Sequence, residues 1–172
     1  MADGIAQLCE DLKVDPSDPV TLVISKYMGA GVMGEYTKQE FFRGFQRLEC
    51  DSVAALGKKL PGLRRELSDA RRFDDIYEFA FSFSREKGQK SLAMDTAVGM
   101  WRLLFNIYAW PLCDAWCTFI EEKHKKAITK DTWLQLLVFA KQFTESVEGF
   151  DENGAWPYLI DEFVEWYSQS AT

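Results

Sequence analysis

Apolar side chains recur along almost the whole chain at three- and four-residue spacing, and alternating strand-like runs are nearly absent. Val20, Leu22, Val23, Ile24, Tyr27 and Met28 form one strongly apolar helical segment. Asp18 and Pro19 supply an N-cap and a residue with preset φ and no amide hydrogen; Gly29 and Gly31 supply the stop. Thr37-Lys38-Gln39-Glu40 is a capping box, and Phe41, Phe42, Phe45 and Leu48 form the apolar stripe of the helix it opens. Ser52 caps a helix through Leu56, which the pattern expects to be disturbed near Pro61-Gly62 and to resume to Leu67. Phe73, Ile76, Tyr77, Ala80, Phe81 and Phe83 make a dense stripe, and Asp95 begins a long helix containing Met100, Trp101, Leu103, Leu104 and Ile107. Helices are also expected over 111–126, 129–148 and 156–170, with Pro111 at a start, Thr129 as a cap, and Gly149 and Gly154 as stops. The pattern predicts an all-α fold, a single helical domain over 1–172 with no linker or repeat to divide it.

The run 149–167 joins a turn, a helix start and an acidic-aromatic helix. Asp151, Asn153 and Gly154 are turn formers, and Pro157 suits a first helical turn. Leu159, Ile160, Phe163, Val164 and Tyr167 share an inward face, leaving Asp161, Glu162 and Glu165 toward water. Asp131 lies in the first turn of its own helix, where the positive dipole end favours a carboxylate and contributes about 0.3–1 kcal/mol. Loop 29–40 has the frame of an EF-hand, with Gly34 at position 6, Tyr36 at position 8 and Glu40 at position 12. Its positions 1, 3 and 5 are Gly29, Gly31 and Met33, none with a side-chain oxygen, so degenerate EF-hand-like pairs without calcium are expected. Loop 85–96, with Arg85, Lys87 and Gln89 at those positions, is poorer still.

Composition narrows the chemistry. The 172 residues are 47% hydrophobic and 15% aromatic, enough for one domain, at most two small lobes. Twenty Lys and Arg against 27 Asp and Glu give a net charge of -7, which points away from nucleic acid and anionic membrane and toward a basic protein surface. No apolar run approaches the roughly 20 residues of a membrane span, and residues 1–4 lack a secretion signal, so a cytoplasmic or nuclear location is expected. Cys9, Cys50, Cys113 and Cys117 read as reduced thiols, His124 as solvated, and no zinc or other metal set is spaced for binding. No phosphate loop, nucleophile elbow or dinucleotide motif occurs, and the acidic pairs Asp74-Asp75, Glu121-Glu122 and Asp161-Glu162 are neighbours that cannot flank a substrate. No catalytic residue and no cofactor is expected. A calcium sensor or helical-peptide adaptor, and a thiol enzyme using Cys50 or Cys117, stand as alternatives, the first discriminated by a calcium titration and the second by alkylation.

Lys130-Asp131-Thr132-Trp133, followed by the run from Phe150 through Gly154-Ala155-Trp156-Pro157 to Glu165, resembles the signature of the defective-in-cullin-neddylation family, also called the potentiating-neddylation domain. Cys9-Glu10-Asp11-Leu12, Thr37 through Phe41, Cys50-Asp51-Ser52 and Arg72-Phe73 with Tyr77 extend the likeness over nearly the whole chain. The resemblance implies a non-catalytic scaffold-type ligase that promotes transfer of a ubiquitin-like modifier from its conjugating enzyme to a cullin lysine. It carries the family's Asp-Ala-Asp cullin-binding patch onto Asp131, Ala155 and Asp161. It also implies a pocket for the N-acetylated methionine of the conjugating enzyme, lined by Ile5, Thr21, Ile24, Met28, Tyr36, Phe83, Met100 and Leu103. Thr21 and Met100 depart from the family's usual residues there. Acetylation fits an apolar pocket because a free ammonium would lose several kcal/mol of hydration without a buried partner. The family's N-terminal extension is expected to be absent or truncated, since Met1 falls almost at the family domain's start.

Overall fold

The computed structural model describes residues 2–170; Met1, Ala171 and Thr172 lie outside the described residues. The order is α1 (Ala2–Leu12), α2 (Val20–Met28), α3 (Lys38–Arg47), α4 (Val53–Glu66), α5 (Ala70–Ser84), α6 (Met94–Tyr108), α7 (Cys113–Phe119), a π-helical turn (Ile120–His124), α8 (Lys130–Gln142) and α9 (Tyr158–Ser170). The fold is all-α, and the only extended pairing among the described residues is two isolated bridges. The helices cluster into two compact units, Met1–Lys87 and Gly88–Thr172.

In the first unit α2 packs on α3, α4 and α5, and α1 packs on α4. Helix α2 starts because the Asp18 carboxylate accepts the Val20 amide at 2.9 Å, and it stops where Gly29 turns left-handed at φ 65°. Val20, Leu22, Val23, Ile24 and Met28 are all buried. The capping box on α3 forms as the sequence requires: Thr37 Oγ1 accepts the Glu40 amide at 3.1 Å, and Glu40 Oε2 accepts the Thr37 amide at 2.6 Å. Gly44 lets α3 approach α2 closely, since a Cβ there would lie 2.9 Å from the Met28 Cα. Helix α1, not anticipated from the pattern, follows from Ile5, Leu8, Cys9 and Leu12 at i, i+3, i+4 and i+7; Leu8, Cys9 and Leu12 are buried.

Two local expectations change in this unit, at Pro61 and at Phe42. The helix at 53–66 runs unbroken through Pro61, which is exposed and at a position where α4 carries its ring toward solvent. Phe42 is 61% exposed and lies under the Lys38 ammonium at 6.0 Å, whereas Phe41 and Phe45 stack at 4.4 Å: one step off i, i+4 rotates a side chain out of the stripe. In loop 29–40, Val32 bridges Glu35 within the same turn, and Glu40 Oε1 accepts the Gly31 amide at 3.0 Å, so both oxygens of the twelfth-position carboxylate bind backbone amides.

The second unit is built on indoles. Trp101 of α6 stacks on Trp133 of α8 at 5.2 Å and meets Trp116 of α7 edge-on at 5.4 Å, and Trp116 meets Phe163 of α9 at 5.2 Å. All four rings are essentially inaccessible, so one aromatic cluster fixes the four helices; each such pair is worth about 0.5–1.5 kcal/mol beyond its burial. Leu92 and Ile128 exchange two 2.8 Å backbone hydrogen bonds that tie the loop before α6 to the loop before α8. The segment expected as one helix over 111–126 divides into α7 and the π-helical turn, closed where Lys125 turns left-handed at φ 52° and its amide reaches the Ile120 carbonyl. Helix α8 ends at Gln142 rather than near 148, because Phe143 leaves helical geometry and its carbonyl accepts the buried Trp110 indole N–H at 2.9 Å. Helix α9 begins at Tyr158, one step after Pro157.

Candidate functional site

The N-terminal ends of α8 and α9, with the turn before α9, form the candidate site, and all of it lies in the second unit. Thr129 Oγ1 caps α8 by accepting the Thr132 amide at 3.2 Å, which leaves Asp131 exposed in the first turn. The turn is organised by Asp151, whose carboxylate accepts the Asn153 amide at 2.9 Å while its carbonyl accepts the Gly154 amide at 2.9 Å. Trp156 meets Phe139 of α8 edge-on at 5.7 Å and lies against Phe150 at 6.1 Å, which anchors the turn and leaves its neighbour Ala155 exposed. Pro157 accepts the Ile160 amide at 2.8 Å and starts α9, placing Asp161 in its first turn. Phe163, two residues on, is held against Phe139 at 6.1 Å.

Electrostatics single out Asp161. It is half-buried, and its Oδ1 is shut away from water without a hydrogen-bond partner. Burial, and after it the Glu152 carboxylate, push the Asp161 carboxyl above the usual range. An oxygen left without water or a donor disfavours the charged form, in keeping with that upward shift. Glu152, Asp161, Glu162 and Glu165 line one cleft of about 420 Å³ together with Tyr158 and Val164. A second cleft of about 420 Å³ joins the first turn of α8, at Thr129 and Thr132, to the start of α9, at Pro157, Tyr158, Leu159 and Glu162, and has Lys123, His124 and Lys126 on its rim. Tyr158 and Glu162 form the ridge between the two, and Tyr158 is 75% exposed, with its phenol pushed up first by the Glu162 charge. Sequence reasoning missed Tyr158 and Glu152; the available signal was an aromatic residue directly after Pro157 with an acid four positions on.

The residues expected to line an acetyl-methionine pocket are distributed differently. Ile5, Thr21, Ile24, Met28, Tyr36 and Phe83 belong to the first unit, Met100 and Leu103 to the second. Ile24, Met28 and Phe83 are buried, and Ile5, Thr21, Tyr36, Met100 and Leu103 are half-buried. Tyr36 is joined to α2 by a 2.6 Å hydrogen bond between its hydroxyl and Ser25 Oγ, and Ser25 in turn donates to the Thr21 carbonyl at 2.7 Å, so Thr21 and Tyr36 are linked through a side chain the sequence did not single out. Burial raises the Tyr36 phenol. Phe79 stacks on Phe83 at 5.1 Å, and the Phe83 carbonyl accepts the Met33 amide at 3.0 Å.

Among the described residues no group of three or more His, Cys, Asp or Glu side chains converges as a metal site, and no helix is long and apolar enough to cross a membrane. Cys117 is wholly buried, with its sulfur 4.0 Å from that of Cys113, which closes it to a substrate. Cys50 is half-buried and donates to the Leu48 carbonyl.

The protein family described as cullin binding matches residues 55–166, a span that contains Asp131, Ala155 and Asp161. The chain is 42% identical over 165 residues to DCN1-like protein 4 of Danio rerio, covering 96% of this chain and 59% of that protein. It is 38% identical over 165 residues to DCN1-like protein 5 of Bos taurus, covering 96% and 70%, and 41% identical to DCN1-like protein 4 of Homo sapiens, covering 96% and 56%. A match over more than half the chain, with relatives aligned along nearly all of it, identifies this protein as a member of the cullin-binding, DCN1-like family.

Proposed function

We propose that the chain is a non-catalytic scaffold for cullin neddylation. It binds a cullin C-terminal domain through Asp131, Ala155 and Asp161, binds the N-acetylated terminus of the neddylation conjugating enzyme through the residues around Ile24 and Tyr36, and promotes modifier transfer to a cullin lysine by proximity. The observation that carries this reading is the disposition of the two acids. Asp131 and Asp161 occupy the first turns of two helices packed through Phe139 and Phe163, and the small, exposed Ala155 lies in the turn that leads into the second. Basic side chains of a partner would supply charge-assisted hydrogen bonds to both acids, each worth about 1.5–3 kcal/mol. This unit carries 12 Asp and Glu against 7 Lys and Arg, a net charge of -5 out of the chain's -7, which favours attraction of a basic surface. Transfer would then accelerate because both reactants are held on one chain, with no covalent intermediate on it. Such a scaffold would act in the cytosol or nucleus, where cullins are modified.

The test is cullin binding by Asp131→Lys and Asp161→Lys. Each is expected to weaken association by about 2 kcal/mol or more, roughly thirtyfold, with helical content and melting temperature nearly unchanged. Unaltered binding by both variants would exclude the patch. Dependence of reconstituted transfer on acetylation of the conjugating enzyme's terminus tests the second surface separately.

A further inference from the structure

A second charged surface lies in the first unit and has the opposite sign. Helix α4 carries Lys58, Lys59, Arg64 and Arg65 against one acid, Glu66. Arg64 is engaged by Asp18 at 2.6 Å. Lys58, Lys59 and Arg65 make no ion pair among the described residues, and they border a cleft of about 530 Å³ whose other wall is the C-terminal end of α3. Arg47 supplies that wall, its guanidinium fixed by a 3.1 Å hydrogen bond to the Tyr27 carbonyl. The cleft keeps an excess of positive charge, because Arg47, Lys58, Lys59 and Arg65 outnumber Glu49 and Glu66, and Glu66 is engaged by the Tyr27 hydroxyl at 2.7 Å.

The spacing of the charges identifies the ligand. Lys58, Lys59, Gly62 and Arg65 lie at i, i+1, i+4 and i+7, one face of the helix, with Gly62 keeping the middle of that face low. From Lys58 to Arg65 the axis advances roughly 10 Å, the length of about three residues of extended chain. A single phosphate needs donors that converge on one point, which this row does not provide. A phosphodiester strand carries a charge on every unit and would set one against Glu49 or Glu66, whereas a peptide can place an uncharged residue opposite each. Pro61 adds an exposed apolar surface beside the charges, suited to a side chain rather than to a lipid headgroup plane. We propose that this cleft is a docking site for an extended acidic peptide segment of a protein partner. The site is separate from the acids of the second unit and does not depend on the cullin reading.

The probe is a fluorescein-labelled octapeptide of alternating Glu and Ala, titrated with the full chain and followed by anisotropy at about 0.15 M ionic strength, where exposed charges are screened beyond roughly 8 Å. Saturable binding is expected. Lys58→Glu with Arg65→Glu should weaken it at least tenfold, Lys58→Gln with Arg65→Gln by a smaller factor, and Asp131→Lys should leave it unchanged. The substituted residues are exposed or bordered by solvent, and a thermal melt of each variant establishes that it is folded. Absence of saturable binding, equal affinity in the folded double variants, or tighter binding of a single-stranded oligonucleotide or of phosphatidylserine vesicles would overturn the proposal.

Discussion

Folding and the proposed cullin contact pull Asp161 in opposite directions. Its carboxyl is held above the ordinary range by burial and by Glu152, so the folded chain protonates it more readily than the unfolded chain does. For such a group, stability falls as pH rises from the ordinary carboxylate value, about 3.9, through the raised folded value, and it stays low at neutral pH. Asp161→Asn removes the charge while keeping the shape. Its melting temperature is expected at or above that of the parent at pH 7, with the gain shrinking as the pH is lowered into the range where Asp161 itself takes up a proton. Cullin binding should be lost in the same protein. A melting temperature several degrees below the parent's at pH 7 would mean that Oδ1 is a structural acceptor and not an unfilled one. The residue types of this patch were legible in the sequence, in the acids after Thr129 and after Pro157, but the orphaned oxygen was not. Accessibility of one atom depends on how the 149–157 turn lies beside α9, and no spacing rule encodes that.

At the level of elements, contact between α2 and α3 depends on the missing side chain of Gly44. Methionine and glycine meet here at a separation that a Cβ would violate against the Met28 backbone, not merely against a flexible side-chain tip. Gly44→Ala should therefore destabilise the chain by about 1–3 kcal/mol, despite the better helix propensity of alanine, because the clash must be relieved by shifting one helix on the other. A stability gain in denaturant unfolding would show that α3 moves away freely. The capping box, the Asp18 start and the Gly29 stop of this region were all readable beforehand, since each is a short-range hydrogen-bonding rule. Much of what was not readable has a common cause. Pro61 inside α4 and the early end of α8 at Phe143 are decided by tertiary surroundings, the solvent side of α4 and the Trp110 indole N–H that donates to the Phe143 carbonyl, whereas the exposure of Phe42 follows from its phase on α3. Helix α1 follows the same spacing rule, with Ile5, Leu8, Cys9 and Leu12 on one face, but carries no sequence cap to mark its start.

For the whole molecule, a scaffold and an enzyme differ in how the transfer rate depends on their concentration. If the chain acts only by holding a cullin on one surface and a charged conjugating enzyme on another, the productive species is the ternary assembly. At low concentration, more chain makes more of that assembly, and within it the lysine meets the thioester intramolecularly at an effective concentration of order millimolar. At high concentration the two partners are distributed onto different copies, and the assembly is depleted even though each partner is fully bound. The initial rate of cullin modification should therefore rise, pass through a maximum and fall back toward the rate without the chain. The maximum should lie between the two dissociation constants and shift when either partner's concentration is changed. Asp131→Lys should flatten the curve by removing one arm, and an excess of acetylated terminal peptide should flatten it by occupying the other without reducing cullin binding. A chain that supplied reacting groups of its own would instead give a rate that saturates and holds. A plateau maintained at large excess over both partners would sink the scaffold mechanism while leaving the cullin-binding patch intact, because that patch is tested by equilibrium binding alone.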